Sequence, residues 1–585
     1  MAIAATTPER ACPAPAGWVE RRAGWVLGGV LIAAVAVRLY GLDAPLIDYH
    51  AMRQVHTAAI ARDCYRKGLD ILAARPDALN YPAATNFPLY AWIVAGFYKA
   101  TGGVHEWEGR LCSLLFSVVT VFLIYRWASG WWGRRAGLWA ALFFAATPAS
   151  VFFGRAFMPE ALMMLLMTGS FLAMSRWHAT GKWQPFALGA LLLGAAVAVK
   201  LTPGMLVVPF VWLAYERGGK RALIGPVSLL VLACALAPLV LWYRPSALAY
   251  LAPKSYDPRP GALTLHFYLQ MLVNRPAGVL LGPAGYAAFL VGLLAFPAGR
   301  RDYAAHLWVA AAAAFFLAAA RKNFALEYYN LPILPVGCAL AGRGMAVLLS
   351  GDPFARIRFG KPLSRLARSG LGWSLAAMYL AMIVVGYVAH WRWEARYVLP
   401  TTRELLLWGA VAAAGSLALG HLSWGLSGRL RQRRAAVRPL AMACLAVALT
   451  AAASVGYLAL MYRQRPDLLA AARTLAAVSA PSDKVLEATD KSFVVLYYAD
   501  RRGWYQFRKQ FRPDQVELLR DQGAAWLATT LLDGLEKDGE LRAYLNGHYR
   551  VAARTPHVMI YDLRRPPAGA PASGAATIAA RSSQE

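Results

Sequence analysis

The sequence predicts a polytopic α-helical membrane protein of about 13 transmembrane helices with a small α/β domain at its C-terminal end. Three observations predict it. Apolar stretches of spanning length recur from about residue 23 to about residue 462. The chain is 58% hydrophobic and 16% charged, with a mean hydropathy of +0.41, whereas soluble domains run nearer ~25% charged. Past residue 463 the pattern changes to short strand-like runs alternating with helical ones.

Residues 1–20 contain prolines and no long apolar run, and read as a disordered cytoplasmic tail. The next apolar run lacks a small-residue cleavage site, so it reads as a retained first span. The spans fall at about 23–40, 109–127, 134–153, 158–176, 185–199, 202–216, 222–243, 277–298, 303–320, 328–349, 371–390, 403–424 and 438–462. Together they form a transmembrane domain over 21–462, in which 41–108 is a long first outer loop with interfacial helices. Arg21 and Arg22 place the N-terminus inside. Alternate loops then carry the cations: Arg134–Arg135, Arg176 with Lys182, Arg217 with Lys220–Arg221, Arg300–Arg301, the group from Arg356 to Arg368, and the group from Arg429 to Arg434. Cytoplasmic loops retain arginine and lysine in this way. The same distribution argues against nucleic acid as partner despite a net charge of +30, because the cations form no continuous face or tail. Six cysteines without a CxxC indicate neither a disulfide framework nor a zinc knuckle.

Residues 463–565 read as the α/β domain. The sequence suits an amphipathic helix over 465–480, strands at Lys484–Ala488, Trp526–Thr530 and Val558–Tyr561, and a helix from Leu532 to Leu545; Phe493–Tyr498 has no clear period. No GxGxxG or P-loop is present to bind a nucleotide. Residues 566–585, rich in Pro, Gly, Ala and Ser, read as a disordered tail.

Polar residues gather at helix ends on the non-cytoplasmic side, where charge is costly. Asp48 opens a helix predicted from Tyr49 to about Lys67; it fits an N-cap or a pocket shared with His50, Arg53 and Gln54. Arg155 and Glu160 flank the link between the third and fourth spans, with Pro159 and Glu160 in the first helical turn. Lys200 ends the fifth span and fits either interfacial snorkelling or a site. Arg321, Lys322, Glu327, Tyr328 and Tyr329 crowd the start of the tenth. A cationic cluster at headgroup depth can hold a phosphate, and an acid beside it can take a proton from an incoming hydroxyl.

These residues resemble the polytopic C-type glycosyltransferases that use polyprenyl-phosphate sugars, specifically family 39 and its relatives, including the protein O-mannosyltransferases and the lipid A aminoarabinose transferase. The resemblance rests on Asp48 to Thr57, Asn86-Phe87-Pro88-Leu89-Tyr90, Arg155 to Glu160, Ala198-Val199-Lys200 and Glu327-Tyr328-Tyr329-Asn330-Leu331-Pro332, together with the layout of spans and C-terminal domain. It implies a multi-pass protein of the bacterial inner membrane with its active site facing the periplasm. It implies a polyprenyl-phosphate donor (undecaprenyl phosphate as carrier) and a glycan, lipid or protein acceptor. Asp48 is then the catalytic base and Glu160 the second acid. Arg53, Lys200, Tyr328, Tyr329, Arg321 and Lys322 surround the donor phosphate, and His50, Gln54, Asn86, Arg155, His266 and Glu327 line the pocket. Relatives commonly carry an acid where this chain has Asn86, a weaker neutral ligand. A divalent metal is therefore possible but not implied, with His266 as a further candidate ligand. A flippase or transporter of lipid-linked sugar is the alternative; inverted repeats and charges within the spans would favour it, and the sequence displays no such repeat.

Overall fold

The computed structural model describes residues 21–72, 74–80, 86–243, 267, 268, 270–349, 356, 455–489, 493–507 and 511–564. The spans expected at 371–390 and 403–424, most of that at 438–462, His266 and both expected tails lie outside the described residues. The chain forms two compact units. One comprises the described residues of Met1–Asp43 and Trp107–Tyr462, the other those of Ala44–Glu106 and Arg463–Glu585.

The first unit is helical. Its helices follow the apolar runs: Ala23–Leu39, Glu106–Trp132, Glu160–Thr180, Trp183–Val199, Pro226–Leu241, Gly282–Leu294, Tyr303–Ala318 and Leu334–Leu348. Among the described residues, Glu106–Trp132, Lys220–Leu241 and Glu327–Leu348 are long and apolar enough to cross a membrane. The run expected at 134–153 is broken into Arg134–Ala146 and Pro148–Phe153, because Pro148 lacks the N–H that would continue the first helix and instead starts the second. Trp127, Phe171 and Trp308 pin three helices together, with ring centroids 4.6 to 5.8 Å apart. The Gly282–Leu294 and Leu334–Leu348 helices approach backbone to backbone. A Cβ at Gly292 would lie 1.9 Å from the Leu340 carbonyl oxygen, and one at Gly344 would lie 1.8 Å from that of Ala288. Small residues permit that contact between membrane helices.

The second unit is a five-stranded sheet of order β2-β1-β3-β5-β4. The strands are β1 (Lys484–Thr489), β2 (Arg502–Phe507), β3 (Ala524–Thr529), β4 (Arg550–Arg554) and β5 (Met559–Asp562). β1 runs parallel to β2 and β3, while β5 is antiparallel to both β3 and β4. One face carries the core of Leu486, Trp504, Leu527 and Tyr561 against Val516, Leu519, Leu541 and Leu545 of the following helices. The other holds Glu487, which accepts hydrogen bonds from the Val495 and Leu496 N–H groups at 3.3 and 2.9 Å. That resolves the unclear run at 493–498 as a helix, Val494–Ala499. The single helix expected from Leu532 to Leu545 is two, since the Asp538 carboxylate accepts from the Leu541 N–H at 3.1 Å and caps a new start.

Part of the first outer loop joins this unit. Ala78 bridges Gly503 in parallel register, the Leu79 N–H donates to the Gly503 carbonyl at 2.6 Å, and Asn80 bonds both ways with the Tyr505 backbone. Arg62 donates to Asp77 at 2.6 Å and to the Tyr497 carbonyl at 3.1 Å, and Arg66 pairs with Asp500 at 2.9 Å. Burial pushes the Asp77 carboxyl up to about 6, against the pull of Arg62.

Candidate active site

Lys200 is the extended C-terminal cap of the Trp183–Val199 helix, its N–H donating to the Ala196 carbonyl at 2.9 Å. Thr202–Leu206 follows as a 3-10 turn with Pro203 in it, so the chain bends away just after the lysine. The ammonium donates to Oε1 of Glu160 at 2.6 Å. Glu160 is the first residue of its helix, behind Pro159, where the positive dipole end favours a carboxylate. Lys200 is 6% exposed and Glu160 2%, which excludes snorkelling. The ammonium also lies 4.5 Å from the ring centroid of Tyr328 and 5.0 Å from that of Tyr329. A buried cation is thus held by one carboxylate and two aromatic faces. Oε2 of the same carboxylate is buried without a hydrogen-bond partner among the described residues.

The tyrosines are fixed through Asn330 and Pro332 by Arg275, Asn323 and Trp308, which the sequence reading did not single out. Buried Arg275 donates to the Asn330 side chain at 2.7 Å and to the carbonyls of Asn323 and Phe324. Asn330 in turn donates to the Asn323 side chain at 2.9 Å. Trp308 Nε1 donates to the Pro332 carbonyl at 3.1 Å. The Glu327–Tyr329 turn is therefore tied down on its C-terminal side by two independent contacts. The available signal was Arg275 itself, an arginine at the edge of an apolar run. Glu327 is buried and Lys322 half-buried, while Arg321 belongs to the short helix Ala320–Ala325.

Arg155 does not pair with Glu160, whose hydrogen-bond partner is Lys200. Arg155 is buried, donates to the Gly41 carbonyl, and stacks its guanidinium 4.1 Å from the Tyr462 ring centroid. Arg110 donates to the same carbonyl, so the two arginines anchor the chain where it leaves the first helix. A third, Arg38, is fully buried within that helix and donates to Ser117 at 3.0 Å and Ser150 at 2.8 Å. It too escaped sequence reasoning, though an arginine inside an apolar helical run is a signal of its own.

In the second unit the helix expected from Tyr49 begins at Ala51 and ends at Arg66. His50 takes the N-cap position in the left-handed region, at φ 57°. The Asp48 side chain is therefore no N-cap. It is 5% exposed, and its Oδ1 accepts from Gln54 Nε2, which also donates to the Tyr49 carbonyl at 2.9 Å. Gln54 thus reaches back from the first turn of the helix over Asp48. Arg53 offers its carbonyl to the Thr57 hydroxyl at 2.9 Å. Its charge, together with burial as the larger cause, pushes the His56 imidazole down to about 3, so that ring stays neutral. Asn86 is half-buried just before the Leu89–Thr101 helix. Among the described residues no three His, Cys, Asp or Glu side chains gather in a way that would hold a metal.

Residues 82–243 match the family described as dolichyl-phosphate-mannose-protein mannosyltransferase. No curated protein sequence matches the chain. Among solved structures it is similar to ArnT from Cupriavidus metallidurans bound to undecaprenyl phosphate, with 17% identity over 92% of this chain and 98% of that one, and a TM-score of 0.53. It is also similar to the Archaeoglobus fulgidus oligosaccharyltransferase tethered with an acceptor peptide, with 11% identity over 93% and 74%, and a TM-score of 0.52. The expected resemblance to the C-type membrane glycosyltransferases holds, and the fold is theirs.

Proposed function

We propose that this protein is a membrane glycosyltransferase that moves a sugar from a polyprenyl-phosphate donor to a hydroxyl or phosphate acceptor, at the periplasmic face of a bacterial inner membrane. The observation that carries this reading is the buried Lys200 ammonium, held between Glu160 and two tyrosines, with Lys200 and Glu160 inside the segment that matches a transferase family. Two similar structures of the same fold support it, one with undecaprenyl phosphate and one with an acceptor peptide.

In this reading Lys200, with Arg53, Arg321 and Lys322, neutralises the donor phosphate. The Asp48 carboxylate, oriented by Gln54, removes the proton from the acceptor as its oxygen attacks the anomeric carbon. The bond from that carbon to the phosphate oxygen breaks, the configuration inverts, and the phosphate leaves on the polyprenyl chain. The cations stabilise charge that grows on that oxygen. Glu160 supports the site through its free oxygen, which accepts from a sugar or acceptor hydroxyl.

The test is reconstitution of the purified chain with polyprenyl-phosphate sugars and a panel of glycan, lipid and peptide acceptors, following release of polyprenyl phosphate. Asp48→Asn is expected to abolish release while donor binding persists. Full turnover in that variant would remove Asp48 from the base role, and no release with any acceptor would leave the transferase reading without support.

A further inference from the structure

The α/β unit has an open cleft of about 460 Å³ where Trp504 and Gln506 of β2 meet the helix Pro513–Asp521. Its volume lies within the range of small-molecule sites, roughly 300–1,000 Å³. Its lining is unusual for a gap between a strand and a helix: beside the Trp504 indole stand the amides of Gln506, Gln515 and Gln522 and the charged groups of Arg512 and Asp514. Trp504 and Gln506 are two apart on one strand and so share a face. Gln506 is 4% exposed, and its Oε1 is buried without a hydrogen-bond partner among the described residues. Arg512, at the N-cap of the helix, is exposed and makes no ion pair among the described residues. A buried amide loses its water and gains nothing in return until a ligand supplies a partner.

We infer that this cleft binds a saccharide. A hydroxyl is donor and acceptor at once, so it satisfies an amide, a carboxylate or a guanidinium without reorganisation. The Trp504 indole, 7% exposed and otherwise part of the core, borders the cleft with an apolar edge against which the C–H groups of a pyranose pack. An anionic nucleotide or phosphate fits poorly, because Asp514 offsets Arg512 and no glycine-rich loop is present. A peptide adding to the edge strand fits poorly too. The outer edge of β2 is already occupied by Ala78–Asn80, with Asn80 bonded to the Tyr505 backbone in both directions. None of the cleft residues belongs to the proposed transfer chemistry, so this site stands or falls without it.

The test uses the full chain in nanodiscs with no donor lipid present. Saturation-transfer difference NMR is recorded against an array of neutral, amino and acidic mono- to trisaccharides, with trialanine and inorganic phosphate as competitors. The expected result is saturation transfer to at least one saccharide, with affinity roughly tenfold weaker in Gln506→Leu, as for loss of one well-buried partner. The same direction is expected in Arg512→Ala and Gln522→Ala, whose exposed positions leave the fold intact. Transfer to no saccharide, transfer indifferent to all three substitutions, or displacement by trialanine or phosphate would each overturn the assignment.

Discussion

Removing the Lys200 ammonium should injure the protein twice, once in stability and once in donor affinity. At 2.6 Å the attraction between ammonium and carboxylate is roughly 6 kcal/mol at an effective dielectric of about 20, and desolvating both groups offsets most of it. Lys200→Met strands the Glu160 carboxylate, 2% exposed, with neither its ammonium nor a partner for Oε2; breaking a buried pair in this way costs about 3–5 kcal/mol. Glu160→Gln is milder. The lysine keeps both tyrosine faces, worth about 0.5–2 kcal/mol each, and the glutamine oxygen still accepts its hydrogen bond. The double variant removes both charges and should return to within about 1–2 kcal/mol of the parent. Thermal unfolding in one detergent then orders the midpoints: parent and double variant highest, Glu160→Gln next, Lys200→Met lowest. Calorimetric titration with polyprenyl phosphate gives a different order, since both variants lacking Lys200 lose about tenfold or more in affinity whereas Glu160→Gln keeps it. A Lys200→Met protein as stable as the parent would show that the pair is not desolvated. One that binds polyprenyl phosphate with parental affinity would refute the placement of the phosphate beside Lys200.

Gln54→Leu removes the amide that donates to Asp48; turnover is expected to fall about 10- to 100-fold, the size of other losses of an orienting partner, with donor affinity in the same titration unchanged. Burial raises the Glu487 carboxyl from 4.5 to about 8, so the folded state holds a proton that the unfolded chain releases. The contribution of this carboxyl to the stability of the α/β unit is therefore full below pH 4.5 and is lost as pH rises to about 8, by at most ~5 kcal/mol. Hydrogen exchange at β1, corrected for intrinsic rates, should show that slope, and Glu487→Gln should flatten it. Gly344→Val drives a side chain into the Ala288 carbonyl and should cost about 3 kcal/mol or more of thermal stability, whereas Gly24→Ala, with nothing near its Cβ, should leave the midpoint unchanged.

Much of the helical framework was legible because a spanning helix advertises itself through length and apolarity alone. The strands divided by position in the sheet. β1, β3 and β5 each have buried apolar residues, and their runs stand out in the sequence. β2 and β4 are edge strands beginning with Arg502 and Arg550, and β4 is mostly exposed, so neither shows a run to read. The Pro513–Asp521 helix was missed for a related reason: it has Pro at its start and Asp514 in its first turn, but its buried face is narrow, with Val516 and Leu519.

The candidate site was legible as a list of residues and illegible as a set of partnerships. Reading outward-facing helix ends picks out Asp48, Arg155, Glu160, Lys200 and Tyr328, because charge near a bilayer is scarce enough to notice. It then invites pairing each acid with the arginine nearest in sequence, and for Glu160 that pairing is wrong. Glu160 bonds Lys200, forty residues away, and Arg155 turns to the Gly41 carbonyl instead. Helix packing decides such partners, and packing leaves no local trace in the sequence. The consequence for mechanism is specific. A carboxylate bonded to an arginine through both oxygens is saturated, whereas Glu160 uses one oxygen on a point-like ammonium and keeps the other unbonded among the described residues. Lysine, unlike arginine, can swing its ammonium from that oxygen to a phosphate without surrendering a fixed fork geometry. The pair therefore fits a site that exchanges partners when donor binds better than it fits a static brace.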